Sequence, residues 1–176
     1  GNGPGDSQIM KFTQDGKFIA QYGKANARQS GTDPKGQPRF TPNSNDPDNF
    51  GRVAKITIDA KANEAYIADG YFNHRVAVLN SDTGEFKRIW GAYGNVPDDT
   101  DLGRYRPTAP PAQQFRNPVH CVERTNDGLL YVCDRANDRI QVFQKDGKFL
   151  SEHLISNSTM GSGENGGSVC QITSPA

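Results

Sequence analysis

EAYIADGYFNHRVAVLNSDTGEFKRIW (64–90) and LLYVCDRANDRIQVFQKDGKFLSEH (129–153) are two copies of one plan. Each runs apolar strand, Asp, short polar loop, Asn-x-Arg, apolar strand, Gly turn, Phe. Asp69 and Asp134 lie 65 residues apart, and Arg75 and Arg139 lie 64 apart. A third, partial copy precedes them. QIMKFTQDGKFI (8–19) matches RIQVFQKDGKFL (139–150) at six of twelve positions. Repetition at this period marks a repeat architecture, whose units bury their apolar faces on one another.

Working outward, each copy resolves into four short strands. In the first they are VAKITID (53–59), EAYIAD (64–69), HRVAVLN (74–80) and EFKRIWG (85–91). In the second they are PVHCVE (118–123), LLYVCD (129–134), RIQVFQ (139–144) and KFLSEH (148–153). Asp, Asn and Gly fill the turns between them. The middle strands are apolar on both parities: Tyr66, Ala68, Val76 and Val78 on one, Ile67, Ala77 and Leu79 on the other. Such strands need a layer above and a layer below. Radially stacked four-stranded blades supply both. The expected fold is therefore all-β, a propeller of antiparallel blades with about half of a ring present. Residues 7–22 supply the last two strands of a blade, 50–91 and 115–153 are full blades, and 167–173 is the first strand of the next. The total is eleven strands. Eleven cannot close a ring, so the remaining blades come from the rest of a longer chain or from a second copy; an excerpt is the favoured reading. Segments 24–48 and 92–114 read as long surface loops, where function concentrates.

Bulk composition excludes more than it names. The 176 residues carry 20 basic and 20 acidic side chains, for a net charge of zero. Nothing advertises a nucleic-acid partner, and no apolar run reaches membrane-span length. The start at GNGPGD, without Met or an apolar leader, reads as a mature or excised product. Three cysteines, Cys121, Cys133 and Cys170, leave one unpaired. Cys121 and Cys133 fall on adjacent strands. A cross-strand disulfide there depends on register, and buried thiols are the expectation. Cys170 is expected in the core of the full protein.

The pattern F-x-x-P, strand, Y-V-x-D-x-x-N-x-R-I-x-V-F, D-G-x-F resembles the NHL repeat, and residues 115–150 are close to a full copy. Val53 stands about where the first copy should have Pro. The resemblance implies a propeller, most often six-bladed. A narrower resemblance runs through DGYFNHR (69–75), PVH (118–120) and DRANDRIQ (134–141) to the peptidyl-α-hydroxyglycine α-amidating lyases. These are six-bladed, zinc-dependent propellers that split a hydroxyglycine into an amide and glyoxylate. By that match Tyr71 and Arg135 take catalytic places and His120 takes the place of one of three zinc histidines. The other two would fall on strands this chain does not contain, and His120 follows Val119 rather than Pro directly.

Each candidate has a plainer reading. Asp69, Asn73 and Arg75 recur as Asp134, Asn137 and Arg139, and a group present in every repeat is scaffold. Asp and Asn bond the turn backbone, and Arg pairs with Asp across blades. Tyr71, Arg135 and His120 are not repeated: by repeat register Tyr71 and Arg135 fall on one rim and His120 near the central channel, so the three are expected to converge at the channel mouth as a polar ligand site would. The run Asp98, Asp99, Asp101 raises calcium but lacks the rest of a calcium loop. Arg104, Arg106 and Arg116, with Tyr105 and Phe115, are the one basic-aromatic interleaving, with RNA binding as a minor option. The leading expectation is a binding or scaffold module of an exported propeller, periplasmic or extracellular. It holds a peptide, glycan or small molecule at its loop rim, and no nucleic acid. The alternative is a metal-dependent lyase-like enzyme. Zinc or calcium in the intact protein stays open.

Overall fold

Alternating apolar residues between Asp/Asn/Gly turns form most of the strands in the computed structural model, which describes residues 5–156 and 167–174. The two sequence copies become two antiparallel meanders. One is β5 (Val53–Asp59), β6 (Glu64–Asp69), β7 (Arg75–Asn80) and β8 (Phe86–Trp90), in spatial order 5-6-7-8. The other is β9 (Val119–Arg124), β10 (Leu130–Asp134), β11 (Arg139–Phe143) and β12 (Phe149–Leu154), also in sequence order. The partial copy forms a hairpin of β1 (Gln8–Phe12) and β2 (Phe18–Gly23). The helical content among the described residues is two single turns, Ala92–Gly94 and Arg135–Asn137. No helix there is long and apolar enough to cross a membrane.

Strand parity sets the layers. Tyr66, Ala68, Val76 and Val78 face the second sheet and pack with Val119, Val122, Leu130, Val132 and Phe143. Ile67, Ala77 and Leu79 face the other way and meet Ile9 and Tyr22 of the hairpin. Each buried side chain of this size removes enough apolar surface from water to contribute roughly 1.5–3 kcal/mol. Polar ties cross the same interface. Thr57 Oγ1 donates to Val122 O at 2.6 Å, Lys55 pairs with Glu123, and Lys145 Nζ reaches Asp59 Oδ2 at 2.5 Å. Gly70 lies against the second sheet: a Cβ there would run into the Val119 backbone. The described residues do not close a ring.

Several expectations need correction. The 24–48 loop contains a further hairpin, β3 (Gln29–Thr32) and β4 (Pro38–Phe40). Its turn is built by Asp33, whose carboxylate accepts the Lys35 and Gln37 N–H groups, both at 2.8 Å, with Gly36 in the left-handed region. The hairpin adds two strands and 167–173 turns out not to be one, so the described residues hold twelve strands rather than eleven. Ser168 N–H bonds Asp138 Oδ1 at 2.6 Å, and the Cys170 carbonyl bonds His120. These backbone groups go to side chains instead of a ladder. The segment crosses the outer face of the second sheet as a strap, with Val169 against Cys121 and Cys133. Those two cysteines are not thiols. The register sets them directly opposite, with Cα atoms 4.8 Å apart, and they form a disulfide. Cys170 is free and exposed.

Candidate functional site

The site is carried by two buried cages that share an Asp–Asn–Arg centre. In the first sheet, Asp69 accepts the Gly51 N–H at 2.6 Å, Asn73 Nδ2 at 2.7 Å and Arg75 Nε at 2.8 Å. In the second, Asp134 accepts the Arg116 N–H at 3.0 Å, Asn137 Nδ2 at 2.7 Å and Arg139 Nε at 2.7 Å. Each arginine thus pairs with the Asp of its own hairpin, not across sheets as expected. Its outer nitrogens reach back to the preceding segment. Arg75 donates to the carbonyls of Ser44, Asp46 and Asn49. Arg139 donates to the Gln114 carbonyl, Tyr93 Oη and Glu152. Burial drives the Asp134 carboxyl above its ordinary range, against the pull of Arg139 and Asn137. Burial, with the Glu152 hydrogen bond, pushes the Tyr93 phenol up to about 12.

The residues just after each Asp leave the cage and form the rim. Tyr71 N–H donates to Arg52 O and Arg135 N–H to Pro118 O, both at 3.3 Å. Arg52 therefore stands where the second copy has Pro118, and it takes up the left-handed conformation, φ 60°. His120 enters from β9. Val119 pairs with Asp134 and Cys121 with Cys133, so His120 is the extra residue of a β-bulge. Bulges re-aim a side chain, and this one turns the imidazole toward the first sheet.

Tyr71 Oη and His120 Nε2 are 3.0 Å apart, with the rings edge to face at 5.7 Å. On the other side of the ring, Nδ1 lies 2.6 Å from the Cys170 carbonyl of the strap. A carbonyl only accepts, so Nδ1 carries the proton. In the neutral ring Nε2 is then a lone pair, and the tyrosine hydroxyl donates to it. The strap carbonyl thus holds the tautomer in which Nε2 accepts the phenol hydrogen bond. Arg52 lies over the Tyr71 and Phe72 rings at 5.4 and 5.1 Å. Phe40 of β4 stacks on Phe72 at 5.1 Å, and Asn117 Nδ2 bonds the Tyr71 carbonyl at 2.5 Å. The contact between Tyr71 and His120 is direct. Arg135, half-buried, joins through its backbone two residues from His120 and packs beside Gly167.

Zinc with an open position wants three protein ligands. Here one imidazole is present, with both nitrogens engaged, and no group of three His, Cys, Asp or Glu among the described residues is placed to hold an ion. The residues present do not fit zinc. The acidic loop does not fit calcium either, because its carboxylates diverge. Asp98 accepts Thr100 N–H and Oγ1, Asp101 accepts the Gly103 N–H, and Asp99 accepts Ser44 N–H and Oγ. His74 Nδ1 stands 3.5 Å from Asp99, so this loop clasps the 24–48 segment instead.

Sequence reading missed Arg52, Asn117 and Phe40. The one signal was the first copy's departure from the repeat at its strand entry, where Arg52 replaces the proline.

No family model matches the chain. A stretch of 114 residues is 32% identical to peptidyl-glycine alpha-amidating monooxygenase B of Xenopus laevis, and equally to monooxygenase A of the same organism. It takes in 64% of this chain but only 12% and 11% of those relatives. The similarity is distant and covers a small part of each.

Proposed function

We propose that the chain is part of an NHL-type, six-bladed β-propeller and that its rim holds a polar ligand centred on Tyr71 and His120. The remaining blades come from the rest of a longer chain or from a second copy. The observation that carries the reading is the 3.0 Å contact between Tyr71 Oη and His120 Nε2. Two unrepeated polar side chains from different sheets meet on a rim whose repeated residues are all spent on scaffold. Arg52 over the phenol ring adds a cation beside it, which suits a peptide, glycan or small molecule with polar or anionic groups. The Cys121–Cys133 disulfide supports an oxidising address, periplasmic or extracellular.

The second reading is a lyase-like enzyme. The distant similarity to amidating monooxygenases favours it, together with the proton-transfer geometry of the pair. In that reading His120 takes the Tyr71 proton, and Arg135 orients the substrate. Any metal would need ligands beyond the described residues.

One experiment separates the two. The chain is titrated calorimetrically with a peptide ending in α-hydroxyglycine, and glyoxylate release is followed with and without added zinc. Binding without turnover, lost in Tyr71→Phe and His120→Gln, supports the binding module. Glyoxylate release abolished by the same variants supports the lyase. Binding unchanged in both variants would sink the site. Nitrogen-15 chemical shifts of His120 give a second readout, with Nδ1 protonated and Nε2 bare as the expected tautomer.

A further inference from the structure

The three arginines of the 92–114 region and its border do not form a stripe. The chain over 102–112 lines one side of an open cavity of about 400 Å³, of a size that takes a small organic ligand. Arg104, Arg106, Arg116 and Arg139 line it, and no Asp or Glu does. Phe115 is buried beneath, in the core.

The charges in this lining are not equally satisfied. Arg139 is paired with Asp134 and Glu152. Arg116 is held by neutral groups: Nε donates to Asn137 Oδ1 at 2.9 Å, and Nη1 donates to the Gly103 carbonyl. Tyr105 lies under its guanidinium at 5.9 Å. Burial, with the nearby Arg139 charge, presses Arg116 below its ordinary range despite Asp134. Arg106 is exposed in this lining, and its guanidinium has no hydrogen-bond or ion-pair partner among the described residues. Asn137 and Tyr105 add neutral polar groups to the wall, and Leu102, Pro107, Pro110, Pro111 and Leu154 make up its apolar part.

We propose that this cavity is a second binding site, for an organic anion: a carboxylate carried on an apolar body. Arg106 and Arg116 receive the carboxylate, and the prolines and leucines cover the body. Arginine suits this because its fork matches a carboxylate's two oxygens. Prolines cost little to order, so the wall is held ready in advance. The site neighbours the Tyr71–His120 pair without sharing residues with it. Arg116 forms its floor, and the next residue, Asn117, holds the Tyr71 carbonyl.

The test is calorimetric titration of the whole chain with N-acetyl-L-phenylalanine, its amide, and inorganic phosphate at low ionic strength. The acid is expected to bind, with the amide about tenfold weaker, since a charge-assisted hydrogen bond is lost. Arg106→Ala should weaken the acid about tenfold, and Arg106→Lys should recover part of that. Salt should weaken it too. Melting temperature should not change in either variant. The proposal is overturned if amide and acid bind alike, if phosphate binds as tightly as the acid, or if Arg106→Ala has no effect. Loss of binding in Tyr71→Phe would also overturn it, by moving the probe to the other site. With Tyr71→Phe unchanged, this site stands whatever becomes of the Tyr71–His120 reading.

Discussion

Hairpins β1–β2 and β11–β12 share six of twelve residues and the same register, including the same bulge before a paired Phe. Phe12 pairs with Phe18 as Phe143 pairs with Phe149. Yet Phe143 is fully buried and Phe12 is 49% exposed, while Gln141 is fully buried and its counterpart Met10 is 51% exposed. Local sequence sets strand, turn and register in both. Burial comes from elsewhere: β10 covers the inner edge of β11, whereas β1 has β2 as its one ladder partner among the described residues. Beside β1 lies an apolar cavity of about 540 Å³, walled by Ile9, Ile56, Ile58, Ile67 and Leu79. Two inner strands like β9 and β10 would fill that position in the proposed propeller.

The comparison predicts its own asymmetries. Phe143→Ala should cost about 4 kcal/mol, as for a buried aromatic. Phe12→Ala should cost less than about 1 kcal/mol, as for a half-exposed one. Equal shifts in urea midpoints would break the comparison by placing Phe12 in a covered core. Arg139→Gln gives the complete hairpin the residue found at Gln8 and strips Asp134 of its ion pair. The expected loss is about 3 kcal/mol, against a change within about 0.5 kcal/mol for Gln8→Arg. Comparable losses in the two variants would show that Gln8 already sits in a cage.

The next contrasts are between the two full sheets. Lys55 and Ala68 occupy the positions of Cys121 and Cys133. The disulfide spans 12 residues, so reducing it should lower stability by about 2–3 kcal/mol. Coincident denaturation curves with and without reductant would refute this.

Glu64 stands where the second sheet has Leu129, and it adds to the acid sensitivity that Asp46, Asp59 and Glu152 share. Hydrogen bonds from Arg88, Lys87 and Tyr66 hold its carboxyl far below the ordinary carboxylate range. A depressed acid pKa stabilises the fold above the unfolded value and is lost as pH falls toward the folded one. Stability should therefore drop below about pH 4.5. Glu64→Gln should remove about 1–2 kcal/mol at neutral pH and flatten that acid limb. An unchanged slope in acid titrations followed by circular dichroism would reject it.

Sheet composition and strand parity were legible because the repeat is written with period-two alternation between strong turns. The residues of the Asp–Asn–Arg cages were legible too, by their recurrence, though not that each Arg bonds its own hairpin. What escaped depends on register or on contacts between distant segments. Cys121 and Cys133 become a disulfide only because they fall directly opposite. His120 reaches Tyr71 through a bulge, and alternation does not announce an extra residue. The strap over 167–174 forms no ladder, so its strand-like apolar spacing misled. Asp33 turns a polar stretch into a hairpin by two hydrogen bonds that composition does not reveal. The meeting of Tyr71 and His120 was expected from repeat register together with family resemblance, while Arg52 had no repeat signal except its departure from proline.

The buried arginines also impose an order in time. Arg75 draws its partners from residues 44, 46, 49 and 69, all synthesised before it. Arg139 does the same with residues 93, 114 and 134, and waits only for Glu152. A chain leaving the ribosome can lock the first cage while the second is still being translated. The protein is thus suited to fold vectorially, each hairpin closing on the segment made just before it.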